Sequence, residues 1–121
     1  MPFEIATVRQ FAAAHALRFP DGSIEPLHGH NWRVKVTVAA SRLDALGCVM
    51  DFHELERQVD AVVMPMHNRH LNELQPFVAE LTPSTENVAY HVARSLVLAE
   101  PVRLVSVEVW ETDTNSAVYR L

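Results

Sequence analysis

Leu27-His28-Gly29-His30-Asn31-Trp32 runs directly into the segment Arg33-Val34-Lys35-Val36-Thr37-Val38. Polar and apolar residues that alternate with a period of two predict a strand with one buried face. Residues two positions apart share a strand face, so we expect His28 and His30 on the apolar face, about 7 Å apart along the strand. The stretch therefore predicts a strand over about Asn31 to Ala40, with a pair of imidazoles at its entrance.

A third histidine ends the preceding run, Phe11-Ala12-Ala13-Ala14-His15. Phe3 to His15 is expected to form the first strand, and a hairpin would bring His15 to the other two histidines. Three neutral imidazoles with an open fourth position are the ligand set of a catalytic zinc ion. The alternative is two polar residues at a strand entrance and an unrelated core histidine.

Composition restricts the class of protein. With 121 residues, 49% of them hydrophobic, we expect one domain over residues 1–121. No apolar stretch is long enough to cross a bilayer and the first residues lack a signal-peptide pattern, which predicts a cytoplasmic protein. The formal charge of −5 argues against nucleic acid and anionic membrane surfaces as partners. The single cysteine, Cys48, excludes an intramolecular disulfide, and we expect it to be a small core residue.

The remaining pattern predicts two helices and two further strands. Asp51 is a natural N-cap for a helix that Pro65 ends, and Thr82 to Glu86 begins a second helix that Pro101 stops. Alternation predicts strands at Arg103 to Thr112 and Ala117 to Leu121. The expected fold is α+β, with a four-stranded antiparallel sheet, two helices on one face and the order ββααββ.

Glu111 falls on the valine face of the third predicted strand. A carboxylate on an apolar face needs a partner, because burying a lone charge is costly. One reading is an ion pair with an arginine such as Arg103 or Arg120. The other is a ligand anchor, because two carboxylate oxygens can accept a planar pair of N–H donors.

These motifs together resemble the 6-pyruvoyl-tetrahydropterin synthase family, which includes the 6-carboxytetrahydropterin synthases. The resemblance covers nearly the whole chain and is carried by five motifs in order: Phe11-Ala-Ala-Ala-His15, Leu27-His-Gly-His-Asn31, Gly47-Cys-Val-Met-Asp-Phe52, Ser84-Thr-Glu-Asn87 and Val109-Trp-Glu-Thr112. The resemblance implies the tunnelling fold, in which sheets join edge to edge, and a homo-oligomer, a trimer or a hexamer of two stacked trimers.

The resemblance also implies roles for individual residues. The matching histidines, His15, His28 and His30, would bind zinc as the cofactor. The carboxylate of Glu111 would hold the pterin ring of the substrate, helped by the hydroxyls of Ser84 and Thr85. Those hydroxyls have a simpler reading as helix caps.

The chain departs from the family pattern where proton transfer takes place. The family usually has a cysteine shortly before His-Gly-His and an Asp-His pair after the first helix. Here Ile24-Glu25-Pro26-Leu27 precedes His28, and His67-Asn68 occupies the place of the pair.

Two explanations follow from this departure. In the first, Glu25 is the base and His67 or His70 shuttles the proton, as in a subgroup that cleaves the side chain of 7,8-dihydroneopterin triphosphate. The sequence then predicts a zinc-dependent pterin-processing lyase. In the second, the chain is a zinc- and pterin-binding homologue with altered or lost catalysis.

Overall fold

The computed structural model describes all residues from Met1 to Leu121. The strands are β1 (Phe3–His15), β2 (His28–Ala40), β3 (Arg69–His70), β4 (Arg103–Trp110) and β5 (Ser116–Arg120). The helices are α1 (Phe52–Val63) and α2 (Thr85–Ser95), with short 3₁₀ turns at Met64–Met66 and Leu71–Glu73. None of the helices combines the length and the apolar character that crossing a membrane would require.

The strands form one sheet in the order β3-β1-β2-β4-β5. The expected α+β class with two helices is confirmed, but the prediction of four strands is wrong. The fifth strand, β3, has only two residues, Arg69 and His70, and pairs parallel with Ala13 and Ala14 of β1. A two-residue strand is too short to show any alternation, so the sequence pattern carries no sign of it.

The central pair of strands confirms the long hairpin. β1 and β2 pair antiparallel over their full length, from Phe3 opposite Ala40 to His15 opposite His28. β2 begins at His28, three residues earlier than the alternation alone indicated, so the His-Gly-His segment lies inside the sheet.

Both helices begin where the sequence predicts. The side chain of Asp51 accepts a hydrogen bond from the backbone N–H of His53, and that of Ser84 accepts one from Asn87. The first helix ends at Val63, with Met64 as its C-cap directly before Pro65, as predicted, whereas the second ends at Ser95, well before Pro101. The chain after α2 leaves the helical conformation at Leu96, where the backbone is already extended.

One face of the sheet carries the core. Alternate residues of β1, β2 and β4 form a single buried cluster with apolar residues of both helices, among them Phe11, Trp32, Val36, Val107, Leu55 and Val92. Removing this apolar surface from water is the main stabilising contribution to the fold. The prediction for Cys48 is wrong, because its side chain is exposed in the loop before α1. The apolar contact of that segment is made instead by Val49, which is buried.

Candidate active site and metal centre

The strand register brings the three predicted histidines together. His15 lies opposite His28 in the β1–β2 pair, and His30 lies opposite Ala13, two residues before His15. Paired positions, and positions two apart, share a face, so all three rings lie on the same side of the sheet. The ring centroids are 4.6 to 5.1 Å apart. Trp32, which is fully buried, lies edge-on to the rings of His15 and His30.

Two of the rings are oriented by backbone carbonyls. Nδ1 of His15 lies 2.7 Å from the carbonyl oxygen of Pro83, and Nδ1 of His28 lies 2.9 Å from that of Pro26. A carbonyl oxygen can only accept, so each Nδ1 carries the proton and each neutral ring has its lone pair on Nε2. Those two Nε2 atoms are 3.1 Å apart. Two lone pairs at this distance repel each other unless a cation lies between them.

His30 has the environment of a neutral ligand. Its Nε2 atom is buried and has no hydrogen-bond partner. Burial lowers the pKa of His30 below its ordinary value, the carboxylate of Glu111 opposes this, and the nearby rings of His15 and His28 lower the pKa further. A neutral imidazole is the form that binds a metal ion. The unpartnered nitrogen is therefore available for coordination.

Glu111 joins this cluster. Its Oε1 atom lies 2.9 Å from Nε2 of His15 and 3.3 Å from Nε2 of His30. The reading of Glu111 as the partner of Arg103 or Arg120 is therefore wrong. Glu111 follows the last residue of β4, and its backbone N–H donates to the carbonyl of Asn115.

The donor atoms fit a metal ion. One atom from each of His15, His28, His30 and Glu111 lies within 4.8 Å of every other, and three of the pairs are between 2.9 and 3.3 Å apart. Ligand atoms around a tetrahedral zinc ion, at about 2.0–2.1 Å from the metal, lie about 3.3 Å from one another. The set can hold a divalent metal, and Glu111 is a candidate ligand that the resemblance had assigned to the pterin.

Glu25 lies at the edge of the same cluster. Its Oε1 atom is 3.9 Å from Nε2 of His28 and accepts a hydrogen bond of 2.9 Å from the backbone N–H of Leu17. The backbone N–H of Glu25 in turn donates to the carbonyl of Leu17. The loop between β1 and β2 is thus fixed in a form that places a carboxylate beside the histidines.

Sequence reasoning missed the side chains that hold the chain after His15. The amides of Ala16, Leu17 and Arg18 donate to Asn72, Glu25 and Thr82 respectively, each at 2.9 Å. The side chain of Asn72 also donates to the carbonyl of Ala16, so two hydrogen bonds join these residues. A single asparagine or threonine in a loop carries no periodic signal that would have identified these partners.

The predicted substrate hydroxyls lie at the beginning of α2, next to the carbonyl of Pro83 that orients His15. The hydroxyl of Ser84 accepts from the N–H of Asn87, so it caps the helix. Thr85, the first residue of α2, is partly exposed and makes no such bond. The cap uses one lone pair of the Ser84 hydroxyl, so its O–H remains able to donate to a ligand, as does that of Thr85.

The two candidate shuttle histidines occupy different surroundings. His70, in β3, lines a cleft of about 550 Å³ together with His30. His67 is exposed, and its Nδ1 atom accepts a hydrogen bond of 3.0 Å from the backbone N–H of Ala12. The structure therefore brings His70 into the same cleft as His30, and it gives His67 a bond to β1.

Comparison with curated proteins identifies relatives with named activities. The chain is 31% identical to the 6-pyruvoyl tetrahydrobiopterin synthase of Poecilia reticulata, over 96% of this chain and 88% of that protein. It is 36% identical to the 6-carboxy-5,6,7,8-tetrahydropterin synthase of Synechocystis, over 90% and 86%. It is 34% identical to the dihydroneopterin monophosphate aldolase of Pyrococcus furiosus, over 84% and 82%.

Solved structures share the fold. The 6-pyruvoyl tetrahydropterin synthase of Caenorhabditis elegans matches with a TM-score of 0.86 at 24% identity, over 98% of this chain and 95% of that one. The 6-pyruvoyltetrahydropterin synthase of Plasmodium vivax, in a variant whose catalytic glutamate is replaced by alanine, matches with a TM-score of 0.78 at 18% identity, over 98% and 97%.

Residues 4–121 match the family described as 6-pyruvoyl tetrahydropterin synthase. The resemblance inferred from the five motifs is thereby confirmed. The chain belongs to the 6-pyruvoyl tetrahydropterin synthase family of enzymes.

Proposed function

We propose that this protein is a zinc-dependent lyase that cleaves the side chain of 7,8-dihydroneopterin triphosphate, or of a close relative, to give 6-hydroxymethyl-7,8-dihydropterin. The observation that carries the proposal is the position of Glu25, whose carboxylate lies 3.9 Å from Nε2 of His28. A general base must lie within reach of the proton that it removes. Glu25 stands where the family usually has a cysteine.

His15, His28 and His30 would hold the zinc ion. Three imidazole nitrogens with an open position are typical of a catalytic zinc, and their Nε2 atoms converge here. When bound, zinc would polarise the side-chain hydroxyls of the substrate and make them more acidic. The carbonyls of Pro83 and Pro26 hold two of the rings in the tautomer that this role needs.

Protein side chains would accept and donate the protons of the reaction. One oxygen of Glu25 is held by the N–H of Leu17, and the carboxylate accepts the proton of the hydroxyl on the second side-chain carbon. The bond between the first and second side-chain carbons then breaks, and its electron pair enters the C=N bond of the pterin ring. The second carbon leaves as a phosphorylated aldehyde, and the first carbon receives a proton. His70, which lies in the cleft with His30, is the better placed of the two histidines to shuttle that proton, and His67 is the other candidate.

Glu111, Ser84 and Thr85 would position the pterin ring. A carboxylate can accept two N–H bonds from the planar amino-pyrimidine edge of a pterin. Glu111 lies beside His15, so an anchored ring would place its side chain near the histidines. The hydroxyl of Thr85 can add a further hydrogen bond, and the O–H of Ser84 can donate another while its oxygen caps the beginning of α2.

The name of one relative supports a cleavage reaction, and the name of one solved structure with the same fold supports a glutamate as a catalytic residue. The Pyrococcus furiosus relative is named as a dihydroneopterin monophosphate aldolase, and an aldolase breaks a carbon–carbon bond. In the Plasmodium vivax structure a glutamate is named as a catalytic residue.

The experiment is to incubate the zinc-loaded protein with 7,8-dihydroneopterin triphosphate and to identify the products by chromatography with mass detection. We expect 6-hydroxymethyl-7,8-dihydropterin from the wild type and a loss of turnover of about 10²–10⁴-fold in Glu25→Gln. The amide keeps an oxygen for the N–H of Leu17, so this variant removes the base without removing the hydrogen bond. Glu80→Gln, at an exposed acid, is the matched control and should retain full turnover.

Other outcomes would change the proposal. Full activity in Glu25→Gln would remove Glu25 from the mechanism. A 6-pyruvoyl or 6-carboxy product would mean that the chemistry of the other relatives operates through different residues. Substrate that binds and is returned intact would favour the alternative, a zinc- and pterin-binding homologue that has lost the reaction.

The proposal includes a homo-oligomer, a trimer or a hexamer. The outer edge of β5 has no partner strand, and β3 covers β1 only at Ala13 and Ala14. Open strand edges pair readily with other strands, and closure into a larger sheet removes them. Light scattering coupled to size-exclusion chromatography would measure the mass, and a monomer would contradict this part of the proposal.

A further inference from the structure

The cleft beside the histidine cluster has an unusual charge for this protein. Nine residues line it, none of them acidic, and Arg69 is the one arginine among them. The chain as a whole has a formal charge of −5. A cleft that is lined by a guanidinium and by no acidic side chain is suited to binding an anion.

Arg69 is aligned with the metal site through the sheet. In the strand register His30 lies opposite Ala13, and Ala13 lies opposite Arg69 on its other side. The three residues form one row across three strands, so the Cα atoms of His30 and Arg69 are about 10 Å apart. The residue between them contributes only a methyl group. A chain of a few atoms that begins at the histidines can therefore extend toward the guanidinium.

The guanidinium of Arg69 is not engaged elsewhere. Arg9, Arg57 and Arg103 form ion pairs with carboxylates, whereas Arg69 has none. Its backbone position is nevertheless fixed by pairing with β1 and by the adjacent Asn68, whose N–H donates to the carbonyl of Ala12 at 2.6 Å. A fixed backbone with a free guanidinium is the arrangement expected of a ligand-binding arginine rather than of a structural one.

We infer that Arg69 binds the phosphate ester of the substrate side chain and thereby selects phosphorylated over unphosphorylated pterins. The inference rests on the proposed function, in which the pterin side chain lies at the histidines and its phosphate lies farthest from the ring. Guanidinium groups bind phosphate oxygens through paired N–H donors. Arg69 contacts no reacting atom, so its contribution is to binding and specificity.

The test measures binding rather than turnover. Fluorescence titration of the zinc-loaded chain with neopterin and with neopterin triphosphate gives the affinity gained from the phosphates. We expect this gain in affinity to fall about tenfold or more in Arg69→Ala, because a charge-assisted pair is lost, and to fall less in Arg69→Lys, which keeps the charge but loses the paired donors. Arg42→Ala makes the same change in net charge at an exposed residue outside the cleft and should keep the gain of the wild type.

The inference would be overturned if the affinity gained from the phosphates is unchanged in Arg69→Ala, or if it falls equally in Arg42→Ala. If Arg69→Ala does not fold, the affinity gained from the phosphates is measured at low and at high salt in the wild type and in Arg69→Gln. In the wild type, the affinity gained from the phosphates should decrease between about 0.05 and about 0.5 M salt, because salt screens the attraction between charges. In Arg69→Gln the decrease should be smaller. Because neither readout needs turnover, a failure of the proposed reaction and a failure of this inference are told apart.

Discussion

Nε2 of His15 and Nε2 of His28 lie 3.1 Å apart, although a carbonyl oxygen holds the proton of each ring on the opposite nitrogen. In the absence of a cation this arrangement would place two lone pairs against each other. The carbonyls of Pro83 and Pro26 keep both rings in this orientation, so the fold itself contributes to the arrangement of the proposed ligands. His15 is almost fully buried and His28 is open to solvent, which leaves a route to the site from the side of His28.

The first prediction concerns the metal. Replacing His28 with alanine removes one of three imidazoles and should reduce bound zinc from about one ion per chain to a small fraction. In the wild type, a free zinc concentration of about 100 times the Kd should add about 2.7 kcal/mol to the free energy of unfolding, and chelation should remove it. His28→Ala should show little of this dependence. Elemental analysis and unfolding with and without chelator measure both effects.

His53→Ala is the matched control, because the side chain of His53 is 80% exposed on α1 and its ring forms a polar contact with Glu56 alone. It should keep the zinc and the chelator response of the wild type. Equal zinc in the two variants, with unchanged stability, would contradict the assignment of the histidines as ligands.

The second prediction separates two roles for Glu111. If its carboxylate anchors the pterin, Glu111→Ala should weaken pterin affinity by about tenfold or more and leave zinc bound. If its oxygen beside His15 and His30 coordinates the metal instead, zinc content should fall in the same variant. Glu108→Gln is the control, because Glu108 of β4 contacts Ser116 of β5 and forms no ion pair with the histidines. Unchanged pterin affinity with zinc retained would leave Glu111 without either role.

The histidine cluster was predictable because it follows from strand periodicity alone. A period of two places His28 and His30 on one face, and antiparallel pairing of β1 with β2 places His15 opposite His28. The caps at Asp51 and Ser84 were predictable for a similar reason, because each is a local hydrogen bond between residues close in the sequence.

What the sequence did not predict depends on contacts between distant residues. The pairing of Arg69 with Ala13 joins positions 56 residues apart, and the bond from His15 to Pro83 joins positions 68 apart. Neither has a local pattern. Cys48 was misplaced because its apolar neighbours indicated a buried segment, whereas the chain turns so that only Val49 is buried.

The third prediction tests the backbone at Asn68, which adopts the left-handed conformation with a φ of 59° before β3. Asparagine tolerates this conformation and glycine adopts it freely, but alanine is penalised. Asn68→Ala should therefore be about 1–2 kcal/mol less stable than Asn68→Gly in urea unfolding. At Asn31, which lies within β2, the order should reverse, with glycine about 0.5–1 kcal/mol less stable than alanine. The same order at both positions would contradict the explanation from φ.

The fourth prediction concerns Asn72, which forms two hydrogen bonds with the backbone of Ala16 directly after His15. Asn72→Ala leaves both backbone groups without their partner and should lower the free energy of unfolding by about 1–3 kcal/mol. Because Ala16 adjoins His15, the same variant should also bind zinc more weakly. Loss of stability with zinc affinity unchanged would show that Asn72 supports the fold without positioning the ligand.

The last prediction is a pH dependence at His91, which lies on α2 away from the metal site. Burial against the ring of Phe77 lowers the pKa of His91 below its ordinary value of 6.5, and Arg94 lowers it further. Above the unfolded pKa both states are neutral and the residue adds no pH dependence. As the pH falls from about 6.5 toward the lower folded pKa, the unfolded chain takes up a proton that the folded chain does not, so stability is lost.

The loss attributable to His91 is at most about 1.4 kcal/mol per pH unit, the value for one proton. His91→Gln removes the titrating group, so its unfolding free energy should decline less steeply below pH 6.5 than that of the wild type. His53→Gln, at an exposed site, should follow the wild type, and comparing the three proteins cancels the contribution of the metal-site histidines. A His91→Gln curve parallel to the wild type would show that protonation of the unfolded chain at this residue is not what weakens the fold in acid.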